Sequence, residues 1–205
     1  MTDEDRAYVA PAQSGPGAPV LLLHAWWGLN QPIKDLADRL AGDGFTVMAP
    51  DLFNGTVLTS IEEAEAHGNE MDADYERILG EVRAGLDDLL AHPDVRGEHA
   101  GMIALSFGVW YANQVAEARP EVTALVCIYG DVFQGPEGVA YLGHFAEDDQ
   151  FVDAEAAEAA RDRGEAHIYP GTKHWFMESD RPEYKADAAE LAYTRTVDFL
   201  RRHLV

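Results

Sequence analysis

Ala100-Gly101-Met102-Ile103-Ala104-Leu105-Ser106-Phe107-Gly108-Val109 is the stretch on which the fold turns. Six apolar or small residues run without polar alternation, as a strand covered on both faces requires. A helical pattern follows from Val109 to Arg119, and Pro120 stops it. Between the two stands Ser106, with a small residue two positions away on either side (Ala104 and Gly108). That arrangement fits a nucleophile elbow, a strained strand-to-helix turn that brings the neighbouring backbones too close for large side chains. The helix also directs its N-terminus at the serine, which favours negative charge developing there. A serine merely capping the helix would have the same local sequence, so context must separate the two. Of the four serines (Ser14, Ser60, Ser106, Ser179), only Ser106 lies between a buried strand and a helix.

The same alternation extends in both directions. Apolar runs at Val20-Leu21-Leu22-Leu23, Phe45-Thr46-Val47-Met48, Val122 to Tyr129 and Val139 to Phe145 read as further buried strands, and Ala166 to Tyr169 as a weaker one ended by Pro170-Gly171. Ala7 to Ala10 reads as an edge strand, set off by the turn Ser14-Gly15-Pro16-Gly17-Ala18-Pro19. Helical period covers Gln31 to Ala41, with Asn30 as cap and Pro32 in the first turn. It returns from Tyr75 to Leu90, stopped by Pro93, then in Ala154 to Asp162 and from about Pro182 to Leu204. Strand and helix alternating throughout predict an α/β fold with a mostly parallel central sheet and helices on both faces. With no repeat or linker, residues 1–205 read as one domain. Gly55 to Glu70 fits no clear period and reads as either a lid or a surface excursion.

Composition narrows the function classes. The chain has 205 residues, 47% of them hydrophobic, enough to bury a full core. It carries 37 acidic against 15 basic residues, a formal charge of −22. Such a surface repels phosphate backbones and anionic lipid, which argues against nucleic-acid and membrane partners. No apolar run approaches the ~20 residues of a membrane span. The acidic start, Met1-Thr2-Asp3-Glu4-Asp5, is the reverse of a basic signal segment, so a cytoplasmic location is expected. Cys127 is the only cysteine, which excludes an internal disulfide. It lies inside an apolar run and is expected to be an inert, buried residue.

A serine hydroxyl needs a base, and the base needs a carboxylate. In a parallel sheet both belong in loops at the carboxyl ends of strands. His67, His92 and His203 fall in or beside polar helical segments, His99 precedes a strand, His167 lies within one, and His24 comes before Ser106 in the chain. His174, in Tyr169-Pro170-Gly171-Thr172-Lys173-His174-Trp175-Phe176, follows the last strand and fits. After the Val139–Phe145 run come Glu147, Asp148 and Asp149, any of which could supply the acid. The resulting order, serine, acid, histidine, is that of α/β-hydrolases.

These residues resemble the dienelactone hydrolase family of the α/β-hydrolase superfamily. The resemblance spans Val20 to Leu204 and rests on His24-Ala25-Trp26-Trp27-Gly28-Leu29-Asn30, Ala49-Pro50-Asp51-Leu52-Phe53, the elbow, Ala146 to Val152, Tyr169 to Phe176, and the last helix. It implies Ser106 as nucleophile, His174 as base and, because the family's acid precedes x-Phe-Val, Asp149 as acid. It implies an oxyanion hole made by the backbone N–H groups of Trp26 and Phe107. It calls for no metal and no organic cofactor, and for a small ester or lactone as substrate, in a monomer or small homo-oligomer.

Four positions depart from the family pattern. The family's cysteine nucleophile is Ser106, and its thiol-handling glutamate is Ala25; these two changes agree with each other. One of its two carboxylate-binding arginines is Glu178, and no arginine occurs between Arg39 and Arg77 to supply the other. An acid where a cation is expected disfavours an anionic substrate, which argues against dienelactone itself. All four tryptophans (Trp26, Trp27, Trp110, Trp175) map beside the proposed site. An aromatic pocket of Trp27, Trp110 and Trp175, with Glu178 beside them, is therefore expected to receive a neutral, apolar group. The alternatives are a catalytically idle fold used for binding, or the same triad applied to acyl transfer or thioester cleavage.

Overall fold

A computed structural model describes residues 6–130 and 137–205. Its strands are β1 (Ala7–Ala10), β2 (Ala18–Leu23), β3 (Phe45–Pro50), β4 (Ala100–Leu105), β5 (Val122–Ile128), β6 (Ala140–Asp148) and β7 (Glu165–Lys173). They form a seven-stranded sheet in the order β1-β3-β2-β4-β5-β6-β7. Only the β1–β3 pairing is antiparallel; the other five are parallel. β2, β3 and β4 are buried at every position, which explains their unbroken apolar sequences.

The helices are α1 (Gln31–Gly42), α2 (Ile61–Ala73), α3 (Tyr75–Leu90), α4 (Phe107–Ala118), α5 (Ala154–Ala159, continued by a 3-10 turn over Ala160–Asp162) and α6 (Ala186–Leu204). α1 starts where its sequence predicts: the Asn30 side chain accepts from the Ile33 amide, and Ile33, Ala37 and Leu40 turn inward. α1 and α6 share one face of the sheet, joined by Arg39–Glu190 and by the Tyr193 hydroxyl donating to Asp43. α3 and α4 are joined by Arg119–Asp87 and pack on the other face. The predicted α/β sandwich is therefore present. No helix among the described residues is long and apolar enough to cross a membrane.

Three local expectations need correction. Gly55 to Glu70, which fits no period, contains most of α2; a capping box between Ser60 and Glu63 starts that helix, although few of its side chains are buried. The last helix starts at Ala186 rather than near Pro182, because residues 178–185 form successive turns. β7 does not end at Pro170-Gly171. The chain bulges there, with Gly171 at φ +66°, and pairs again so that Lys173 lies opposite Asp148.

Strand order positions the site. β2 and β4 are neighbours but not consecutive, so the chain leaves them toward opposite edges of the sheet. Their carboxyl ends mark a topological switch point, where open α/β sheets hold their ligands. The Trp26 loop follows β2 and Ser106 follows β4.

Candidate active site

Ser106 has φ +46° and ψ −108°, a conformation that L-residues rarely adopt. The turn is tied down by the Ser106 N–H donating to the Ile128 carbonyl at 2.9 Å. The small residues next to it are a packing requirement. A Cβ on Gly108 would stand 2.7 Å from Leu23 Cβ, and one on Gly130 would stand 2.5 Å from Val109 Cγ2. α4 can thus lie directly against β2 only because Gly108 has no side chain.

His174 Nε2 lies 2.8 Å from Ser106 Oγ, and His174 Nδ1 lies 2.8 and 2.9 Å from the Asp149 carboxylate oxygens. With Nδ1–H donating to Asp149, the neutral ring keeps Nε2 as the acceptor for the serine hydroxyl. Asp149 Oδ1 also accepts from the amides of Phe151 and Val152, which fixes the carboxylate. β6 runs past the expected end at Phe145, so the other two acids lie in the strand itself: Glu147 accepts from the Gly171 amide, and Asp148 is exposed as its last residue. The β6–β7 bulge makes the meeting possible, because pairing resumes at Asp148 and Lys173, one residue before Asp149 and His174.

The Phe107 amide opens α4, and the Trp26 amide lies in the loop after β2. Neither amide donates to another group among the described residues. The Phe107 amide, next in the chain to Ser106, is a candidate donor to an oxyanion, with the Trp26 amide the candidate for the second. The Trp26 loop is braced by His24. Its Nδ1–H donates to the Ala25 carbonyl, and its Nε2 accepts from the Leu52 amide. Complete burial pushes this imidazole down to about 4, so it stays neutral and keeps both bonds.

The expected pocket of Trp27, Trp110 and Trp175 is not assembled. Trp27 and Trp175 are 1% and 2% exposed and pack edge to face on each other with centroids 5.0 Å apart, so they are core residues. Trp110 is 43% exposed and packs on Tyr75 and Tyr111, because its place on α4 turns it outward. Glu178 borders a space of about 200 Å³ between α1 and α6 that none of the tryptophans lines. It is 1% exposed, and its Oε1 accepts from the Tyr129 hydroxyl at 2.8 Å. Burial pushes its carboxyl up to about 8, the Tyr129 bond opposing the shift, so it is mainly neutral at pH 7.

Two features beyond the sequence reading stand out. Phe151, known there only as part of x-Phe-Val, is 44% exposed, lies 4.8 Å from the His174 ring and 5.6 Å from Trp26, and forms an apolar rim over the triad. An aromatic residue in an otherwise polar loop is the weak sequence signal for it. His144, buried in β6, bonds Tyr169 and Thr196 and ties α6 to the sheet. A cleft of about 720 Å³ opens elsewhere, between β1, the end of β3 and α3, and no triad candidate lines it. The triad geometry is the stronger indicator of a site, since volume alone supplies no chemistry. A space of about 240 Å³ adjoins His174, lined also by Asp148, Gln150, Lys173, Trp175 and Glu183.

The chain is similar along its length to known proteins. The family model described as "Dienelactone hydrolase family" matches residues 6–204. The chain belongs to the dienelactone hydrolase family. An Azospirillum brasilense protein named "Putative carboxymethylenebutenolidase" is 34% identical over 227 residues, covering 97% of this chain and 93% of that protein. A Bradyrhizobium protein named "Probable 2-oxo-3-(5-oxofuran-2-ylidene)propanoate lactonase" is 28% identical, covering 97% and 89%. Among solved structures, a dienelactone hydrolase-like promiscuous phosphotriesterase from metagenomic libraries superposes with a TM-score of 0.79 at 20% identity, covering 98% of this chain and 100% of that one. At that identity the likeness speaks for the fold. Within the family, this chain carries serine at the elbow, alanine at position 25 and a buried acid at position 178.

Proposed function

We propose that this dienelactone hydrolase family member is a serine hydrolase of small, neutral carboxylic esters or lactones. The observation that carries the reading is the continuous line from Ser106 Oγ through His174 to Asp149, with heavy-atom separations of 2.8 Å at both bonds. Ser106 Oγ attacks the carbonyl carbon as its proton passes to His174 Nε2. Asp149 holds the tautomer and stabilises the imidazolium. The tetrahedral oxyanion is received by the Trp26 and Phe107 amides. His174 then gives its proton to the leaving alkoxide, and the acyl group remains on Ser106. A water molecule, deprotonated by His174, releases the carboxylic acid and restores the serine.

The names of the relatives favour a lactone or ester as the bond cleaved. Neutrality of the substrate is favoured by Glu178, which stands where the family pattern has an arginine; Lys173 adjoins His174, but the arginines Arg181 and Arg77 are engaged elsewhere. Arg181 lies 4.2 Å over the Trp27 ring and pairs with Asp180, and Arg77 pairs with Asp74 and Glu81. Reaction with a fluorophosphonate should add one phosphonyl group, located on Ser106 by mass spectrometry. Ser106→Ala should abolish that adduct and lower kcat by at least about 10⁴-fold, with Asp149→Asn losing about 10⁴-fold. A Ser106→Ala variant that hydrolyses esters at the parent rate refutes the reading. An adduct without ester or lactone turnover points instead to acyl transfer or to another acyl bond, which thioester and anilide substrates would reveal.

A further inference from the structure

Directly after β5 the chain takes another strained step. Tyr129 has φ +38°, although it is bulky and fully buried. A non-glycine residue held there is a marker of functional constraint. Its amide donates to the His144 carbonyl at 2.7 Å, and the next residue, Gly130, passes so close to the elbow that a Cβ would lie 3.2 Å from the Ser106 carbonyl. The backbone is therefore pinned between β6 and the serine turn. This conformation sets the Tyr129 ring against His174, with centroids 4.9 Å apart and planes inclined by 54°. At the far end of the ring, the hydroxyl donates to Glu178 Oε1 at 2.8 Å. The other oxygen, Oε2, has no hydrogen-bond partner among the described residues. A buried carboxyl with one oxygen idle is retained at a cost, and its one bond is to the residue backing the histidine.

We propose that Tyr129 is a positioning residue for His174, its ring setting the plane of the imidazole and its hydroxyl anchored by the buried carboxyl of Glu178. The proposal rests on the Ser106–His174–Asp149 reading. During the reaction His174 must keep Nδ1 on Asp149 while Nε2 takes the proton from Ser106 and then delivers it to the leaving group. A ring free to tilt would lose that alignment. The face of Tyr129 also attracts an imidazolium more than a neutral imidazole, so the contact strengthens as the transition state forms. Such an interaction appears in kcat and leaves KM nearly unchanged. Glu178 acts through Tyr129 and touches none of the reacting atoms.

The test uses the whole protein and a neutral short-chain p-nitrophenyl ester, with folding checked by circular dichroism. Tyr129→Phe and Glu178→Leu should each lower kcat about tenfold, the size of one buried hydrogen bond, with KM changing less than about twofold. Because both remove the same bond, the double variant should be no slower than the slower single. Glu178→Gln, whose amide oxygen can still accept from Tyr129, should recover most of the loss seen with Leu. The His174 ring resonances should move in Tyr129→Phe and Glu178→Leu but hold in Glu178→Gln. Unchanged kcat in Tyr129→Phe and Glu178→Leu, effects confined to KM, or losses that multiply in the double variant would each overturn the proposal. If Tyr129→Phe does not fold, the Leu and Gln variants at position 178 decide by the same criteria. Ser106→Ala separates the two levels: an inactive Ser106→Ala beside a fully active Tyr129→Phe sinks only the positioning role, whereas an active Ser106→Ala sinks the triad itself.

Discussion

Buried ionisable side chains give this protein an opposed pH response. His24 and His144 are held down to about 4 and about 3 by burial, so the folded state leaves them neutral where an unfolded chain would protonate them. Their contribution is complete above pH 6.5 and is lost as pH falls from there toward those values, at about 1.4 kcal/mol per pH unit for each group. Glu178 acts in reverse. Burial raises it from 4.5 to about 8, so the folded state keeps a proton that the unfolded chain releases. Its contribution is complete below pH 4.5 and declines as pH rises toward 8. Stability measured by urea unfolding should therefore fall on both sides of a maximum. Glu178→Gln, which cannot ionise, should abolish the decline between pH 6.5 and 8 and steepen the fall between pH 6.5 and 4.5, where Glu178 partly offsets the two histidines, while leaving the response below pH 4.5 as it was. An identical slope in both proteins would contradict the buried, protonated state of Glu178.

Among the elements, α2 is the one whose formation depends most on its own ends. Ala64 and Met71 are buried, but the helix begins with exposed residues and a low apolar content, so tertiary packing supports it weakly. The Ser60–Glu63 capping box compensates by satisfying amides at both Ser60 and Glu63. Ser60→Ala should destabilise α2 by about 1 kcal/mol, visible as roughly fivefold faster amide exchange in its first two turns. Equal exchange in the two proteins would mean that packing alone holds the helix. A hydrophobic-period reading misses α2 because that period is nearly absent; the legible sign was Ser60 three residues before Glu63. The longer elements were legible. α1 and α3 carry clear apolar stripes, and β2, β3 and β4 carry runs that only double-sided burial explains.

Across the whole molecule, charge dominates. An excess of 22 acids is not balanced by the available cations, several of which are already paired, as in Arg39–Glu190, Arg119–Asp87, Arg201–Asp43 and Arg202–Glu165. The resulting field should repel anionic substrates on approach, in addition to the absence of an arginine at position 178. For two esters of equal size, kcat/KM should favour the neutral one by at least about tenfold at low ionic strength, and the gap should narrow as added salt shortens the screening length. Comparable turnover of the anionic ester in dilute buffer would contradict this.

The amino-acid sequence by itself determined the alternation of strand and helix, the sharp turn at Ser106 and the chain order of the three candidate groups. Each is a local demand: continuous burial of a strand, room for a backbone at Ala104 and Gly108, a cap or a proline at a helix end. The family likeness narrowed the three acids Glu147, Asp148 and Asp149 to the last of them, and the fold then put that residue, not its neighbours, on His174. Only the tertiary structure decided that Trp27 and Trp175 would be core, that Trp110 would face outward, and that the Glu178 carboxyl would be buried against Tyr129, 49 residues away in the chain. Burial and pairing are set by contacts between residues far apart in sequence. No spacing rule carries that information until β7 has bulged at Gly171 and returned to pair with β6.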